Sequence, residues 1–154
     1  MASPVRFEMK GLRQLGANFK ELDDVMQRKI AASATGAAAK VVKEAAKQIV
    51  TANPSVDTGS LGASIISKKL GKRAAGGFTS AHIVTPRHKR SKKGKNRAKQ
   101  QVAPHAIFVE YGTVNMPAEP FLRPALERNI GKASNTMRDR IATGIEKAAQ
   151  RLKK

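Results

Sequence analysis

The chain has 154 residues, with 30 Lys and Arg against 11 Asp and Glu, for a formal net charge of +19. This length suffices for one domain with a modest core, and the charge predicts a polyanionic partner, either nucleic acid or an acidic protein surface. The absence of cysteine excludes disulfides, thiolate metal sites and a thiol nucleophile, while an aromatic content of 4% weighs against base stacking on single-stranded nucleic acid.

The start, MASPVRFEMKG, carries no apolar core of signal-peptide length, and no stretch approaches the roughly 18 apolar residues of a membrane span. No membrane partner is expected. Val5, Phe7 and Met9 alternate with polar neighbours, a weak strand pattern. From Leu12 the period becomes helical. Leu12, Leu15, Phe19, Leu22, Met26 and Ile30 share one face, which continues through Ala34, Val41, Ala45 and Ile49. A helix is predicted over about 12–52, in one piece or broken near Gly36, and ended by Asn53-Pro54-Ser55. Its alanine-rich second half suits close packing against a neighbour.

The segment VDTGSLGAS (56–64) reads as a turn running into apolar sequence, and Ile65 and Ile66 lead into a strand. GKRAAGG (71–77) is a turn. Phe78 to Thr85 is a second predicted strand, with His82 and Val84 on one face and Ile83 on the other. The tract 86–101 follows. It contains Arg87, Lys89, Arg90, Lys92, Lys93, Lys95, Arg97 and Lys99 and no acid. A tract this charged has little apolar surface to bury. It is either a solvated loop or a contact for DNA or an acidic protein neighbour. Ala106 to Glu110 reads as a third strand.

The stretch IFVEYGTVNMPAEPFLRPAL (107–126) turns the chain into its last helix. Gly112 is expected at positive φ, and Pro117 and Pro120 hold Met116 and Glu119 extended. Pro124 belongs in the first helical turn, where its missing N–H is harmless, so the helix starts at about 121–122. Phe121 is expected to pack under the sheet. Leu122, Leu126, Ile130, Ala133, Met137, Ile141, Ile145, Ala148 and Leu152 recur every three or four residues, close to an 11-residue repeat. Such a helix is roughly 45 Å long at about 1.5 Å per residue. Part of its apolar face is therefore expected to meet another chain, with Met137, Ile141 and Ile145 as the contact. Gly131 and Gly144 are read as possible bends.

No catalytic set emerges. Asp57-Thr58-Gly59-Ser60 matches the tetrapeptide of aspartic proteases, in which two Asp share a proton. Here it follows Asn-Pro-Ser rather than a buried apolar strand. The plainer reading is that Asp57 or Thr58 caps a short helix or turn and Gly59 relieves the backbone. His82, His88 and His105 lack ligand spacing, so no metal or other cofactor is expected. Glu110 has no second acid or base nearby and is read as pairing with an Arg or accepting backbone N–H bonds. On that reading Glu110→Gln should be nearly harmless by comparison with Gly112→Val, which places a β-branched residue at positive φ.

Two segments resemble one family. VDTGSLGASI (56–65) is similar to a V-D-T-G-x-L-x-x-S-I signature, and FVEYGTVNMPAEPFLRPAL (108–126) to F-V-E-x-G-T … P-A-x-P-F-L-x-P-A-L. Both belong to the tail-completion, or head–tail joining, proteins of long-tailed double-stranded DNA bacteriophages, and the resemblance covers about 12–150. It implies a single α+β domain: a small, mostly antiparallel sheet packed by a long N-terminal helical region and a long C-terminal helix, with the basic tract as an insertion. It implies structural roles for Asp57, Thr58, Gly59, Glu110, Gly112, Thr113, Pro120, Phe121 and Pro124. It also implies a virion protein of the neck or tail end, made in the host cytoplasm and assembled as a six- or twelve-fold homo-oligomeric ring. Its neighbours would be connector or head-closure and tail-terminator or tail-tube proteins, with double-stranded DNA in the lumen. Gly62 departs from the family, which more often carries Arg or another polar residue there. The alternative is a freestanding basic DNA- or RNA-binding protein.

Overall fold

The structure, a computed structural model, describes residues 24–53, 60–71, 74, 76, 80–87 and 102–152. The elements are α1 (Asp24–Ala52), α2 (Ser60–Ser64), β1 (Ile65–Lys69), β2 (His82–Pro86), α3 (Val102–Tyr111) and α4 (Leu122–Leu152). The fold is α+β, with two long helices and one two-stranded sheet. The strands run antiparallel: the Leu70 N–H reaches the Ala81 carbonyl at 2.9 Å at one end, and the Arg87 N–H reaches the Ser64 carbonyl at 2.8 Å at the other.

Contacts gather the chain into two compact units. One takes the chain to Val41, residues 68–83 and residues from Ile130 onward. In it Ile30, Ala34, Ala133 and Ala148 are buried. Gly144 lies against Ile30, and a Cβ added there would come within 2.8 Å of Ile30 Cγ2. The other unit takes residues 42–67 and 84–129. Its core is Val42, Ala46, Val50, Leu61, Ile65, Ala106, Val109, Phe121 and Ala125, and α2 packs on α3.

Several sequence expectations are corrected. The expected third strand at 106–110 is the helix α3. Its apolar run is short enough to suit either state, but the buried residues are Ala106 and Val109, three apart, as one helical side requires. The second strand begins at His82 rather than at Phe78: Ser80 and Ala81 precede it, and 77–79 lie outside the described residues. α1 is unbroken at Gly36, and the expected residues 12–23 lie outside the described ones, as does the weak strand pattern at 5–9. Past Ala34 the buried positions of α1 are Val42, Ala46 and Val50, one residue beyond those read from the sequence. Each pair there, Val41-Val42, Ala45-Ala46 and Ile49-Val50, is apolar at both positions, so the pattern alone does not choose between them. For the same reason α4 buries Ala125 and leaves Leu126 half exposed. Gly144 marks a close approach to Ile30.

Candidate functional site

The corner between α3 and α4 is built from main-chain hydrogen bonds that the sequence leaves no other way to make. A helix begins with several N–H groups lacking intrahelical partners. At the start of α4 the usual capping position is Phe121, which has no side-chain oxygen. Glu110, in the last turn of α3, supplies the acceptors instead. Its Oε2 accepts the N–H of Phe121 at 2.8 Å and of Leu122 at 2.9 Å, and its Oε1 accepts the N–H of Arg123 at 3.1 Å. Residue 124 is proline and has no N–H to satisfy. The Ala125 N–H then makes the first intrahelical bond, to the Phe121 carbonyl at 3.2 Å. Every N–H of that turn is accounted for. The carboxylate also meets the positive end of the helix dipole.

The end of α3 is closed as tightly. Gly112 has φ of 74°, and its N–H donates to the Phe108 carbonyl at 2.7 Å, a left-handed helix cap. A Cβ at Gly112 would lie 2.8 Å from Ala118 N and 3.0 Å from the Met116 carbonyl oxygen. Thr113 and Met116 pair through both main-chain bonds, at 2.8 and 3.3 Å, around Val114 and Asn115. The Asn115 N–H also donates to Thr113 Oγ1 at 3.3 Å. The returning chain donates the Glu119 N–H to the Val109 carbonyl at 2.8 Å. Glu119 Oε2 accepts from Asn53 Nδ2 at 2.6 Å, tying the corner to the end of α1. Beside this bond Ile49, Val50, Asn53, Glu119, Pro120 and Phe121 line a cleft of about 250 Å³.

The corner thus brings together Glu110, Gly112, Thr113, Pro120, Phe121 and Pro124. Phe121 is buried, and it lines the cleft together with Ile49 and Val50 of α1. Glu110 takes the second of its two expected roles, accepting three main-chain N–H groups. Asp57, Thr58 and Gly59 lie outside the described residues. Leu61 and Ile65 of the same signature are fully buried. A side chain at Gly62 would begin in ordinary contact with Val50, at 3.8 Å, so the departure from Arg there leaves room rather than strain. Of the eight cations of the basic tract only Arg87 is described, and it is exposed. Lys89, Arg90, Lys92, Lys93, Lys95, Arg97 and Lys99 lie outside the described residues. Met137, Ile141 and Ile145 are each only partly covered.

A polar cluster on α1 escaped the sequence reading. Thr35 Oγ1 lies 2.7 Å from the Ala31 carbonyl, 3.1 Å from Ser80 Oγ and 3.0 Å from His82 Nδ1. The carbonyl can only accept, so the Thr35 proton goes to it, and Ser80 and the His82 Nδ1–H donate to Thr35. Burial, then the charge of Lys69, lowers the pKa of His82. The other nitrogen of the ring sits over Gly36, where a Cβ would approach Nε2 to 3.2 Å. A lone His amid distant hydroxyls gave no spacing signal. The Asn53–Glu119 bond, 66 residues apart in sequence, gave none either.

Among the described residues, no group of three His, Asp or Glu side chains is placed to hold a metal ion, and no helix is long and apolar enough to cross a membrane. A family model described as "Bacteriophage HK97-gp10, putative tail-component" matches residues 13–112, well over half of the chain. No curated protein and no solved structure matches. The matched region holds the first signature and the Phe108–Gly112 end of the second, in keeping with the resemblance read from those segments. The chain belongs to the HK97-gp10-like family of bacteriophage tail components, and is a structural protein of the virion.

Proposed function

We propose that the protein acts at the phage neck as a homo-oligomeric ring, six- or twelve-fold, that joins the connector side of the DNA-filled head to the tail and completes the tail end. It does so by assembly and not by catalysis. Its neighbours are connector or head-closure proteins on one side and tail-terminator or tail-tube proteins on the other, and double-stranded DNA passes through its lumen. The observation that carries this reading is α4. The helix has 31 residues, its apolar stripe leaves Leu126 half exposed, and Met137, Ile141 and Ile145 are only partly covered. A helix this long with an incompletely buried stripe is suited to packing between copies.

The test is to change Met137 and Ile141 together to Glu. The expected result is a chain with unchanged helix content that no longer assembles, as measured by native mass spectrometry and by incorporation into virions. Unfolding of the isolated chain, with assembly kept in whatever stays folded, would make the stripe ordinary core. A chain that stays monomeric or dimeric and binds duplex with a steep salt dependence would favour the freestanding nucleic-acid-binding reading.

A further inference from the structure

We propose that the cleft beside the Asn53–Glu119 bond receives an arginine or lysine side chain from a second copy of the chain. This rests on the ring reading and deepens it, because it names a contact by which one copy holds the next.

The cleft sets a carboxylate in an apolar wall. Ile49 and Val50 come from the end of α1, and Pro120 and Phe121 from the entry to α4. Asn53 and Glu119 are the polar members, and all six residues belong to one compact unit. Val50 and Phe121 are buried, so the wall is part of the core and is formed before anything binds. Glu119 is half-buried. Its Oε2 accepts from a neutral amide, Asn53 Nδ2, at 2.6 Å. Its Oε1 has no partner among the described residues, and no unpartnered side-chain oxygen there is buried, so this oxygen is open to a ligand.

No other described carboxylate is placed in this way. Asp24, Glu44 and Asp139 each pair with a Lys or Arg. Glu110 is met by three N–H groups and a helix end. Glu127 and Glu146 are exposed, where water serves them. Among the described residues, Glu119 alone is partly shielded from water with neither a cation nor a set of N–H donors. The surroundings decide what fits. An apolar side chain would cover Oε1 without bonding it, and an anion would meet like charge. Arg and Lys lay an aliphatic stem on apolar surface and carry the charge at its tip, which suits both parts of the cleft.

The chain is itself rich in such side chains, with 30 Lys and Arg against 11 acids. Copies carrying +19 each repel where they adjoin, and a ring of them needs opposite charges facing each other at every junction. Glu119 supplies one. Donor and cleft are different surfaces, so the contact is head-to-tail, the kind from which rings close.

The experiment uses virions assembled from a mixture of isotope-labelled and unlabelled full chains, both carrying Ile49→benzoylphenylalanine, irradiated and then digested. The expected product is a peptide pair of mixed label that joins residue 49 to a segment of this chain containing Lys or Arg. Products of single label only, a product with another protein or with DNA, or no product in virions that contain the chain overturns the inference. In parallel, Glu119→Gln keeps an acceptor for Asn53 and removes the charge. It should lower incorporation into virions about tenfold, with the thermal midpoint of the isolated chain unchanged. Unchanged incorporation, or a large fall in the midpoint, also overturns the inference. If Glu119→Gln is incorporated normally while the change of Met137 and Ile141 to Glu abolishes assembly, this contact fails and the ring stands. A single copy per virion, counted by mass spectrometry, ends the ring reading itself.

Discussion

Gly112 is the residue on which the corner turns. Any side chain there meets the backbone of Met116 and Ala118, which has little freedom to move away, in a conformation that L residues rarely adopt. Gly112→Val should lower stability by about 2–4 kcal/mol. Glu110→Gln keeps one acceptor oxygen but turns an amide nitrogen toward N–H donors and removes a charge-assisted set. It should cost about 1–2 kcal/mol. Denaturant midpoints should therefore rank wild type above Glu110→Gln above Gly112→Val. A strong assembly defect in Glu110→Gln with an unchanged midpoint would reveal a contact outside the fold. The turn glycine was legible because its neighbours left few other readings. The strength of Glu110 was not, because the N–H groups that it accepts lie 11 to 13 residues away and depend on how the chain folds back. His82 gives a pH prediction. Its folded pKa is lowered from 6.5 by burial and then by Lys69, so below about pH 6.5 the unfolded chain takes up the proton more readily than the folded one. This contribution to stability is complete above pH 6.5 and lost as pH falls below it. His82→Gln should flatten the decline in thermal midpoint between pH 7.5 and 5.5. An equally steep decline in the variant would assign it to other groups.

Helices show where periodicity is informative and where it is silent. The existence of α1 and α4 follows from long runs of apolar residues at helical spacing, and Pro124 correctly marks where α4 begins. Which of two adjacent apolar residues turns inward does not follow, as Ala125 and Leu126 demonstrate. α3 was misread because four apolar residues in a row suit strand and helix alike, and its packing on α2 decides between them. Gly144 offers a test at this scale. By propensity alone, Gly144→Ala should stabilise α4 by up to about 1 kcal/mol. The new methyl group would instead meet both γ carbons of Ile30 at 2.8–2.9 Å, so a net loss of about 1–2 kcal/mol is expected. In Ile30→Ala the same change should cost much less, and thermal melts of the four chains form the cycle. Additive effects would mean that the two helices do not touch there.

For the whole molecule, charge carries the most information. The surplus of +19 reaches its highest density in the 86–101 tract. Crowded cations repel by about 1 kcal/mol per pair at 4 Å in water, and nothing within the tract offsets this. Contact with phosphates or carboxylates is the simplest relief, and the tract has no aromatic residue to stack on bases. Replacing Lys92, Lys93, Lys95 and Arg97 with Ser should weaken duplex binding more at low salt than at high salt, as fewer counterions are released. Virion assembly and DNA retention should be followed in the same variants. Loss of assembly with DNA binding intact would place an acidic protein opposite the tract, and no change in any readout would leave it a solvated loop. Composition predicts the kind of partner, but it is silent on the division of the chain into two compact units, whose segments interleave along the sequence.

The capping of α4 by Glu110 makes the length of the chain between them as constrained as its composition. Ten residues separate the carboxylate from the first N–H that it accepts, and Gly112, the Thr113–Met116 pairing and the Glu119–Val109 bond consume that length in fixed steps. A residue added at the Val114–Asn115 tip enlarges a solvent-facing turn and leaves the steps intact. A residue removed between Pro117 and Pro120 draws Phe121 away from Glu110 and uncaps a 31-residue helix at its start. Natural variation in this segment should therefore collect as insertions at the tip, with the Pro117–Pro120 spacing held constant.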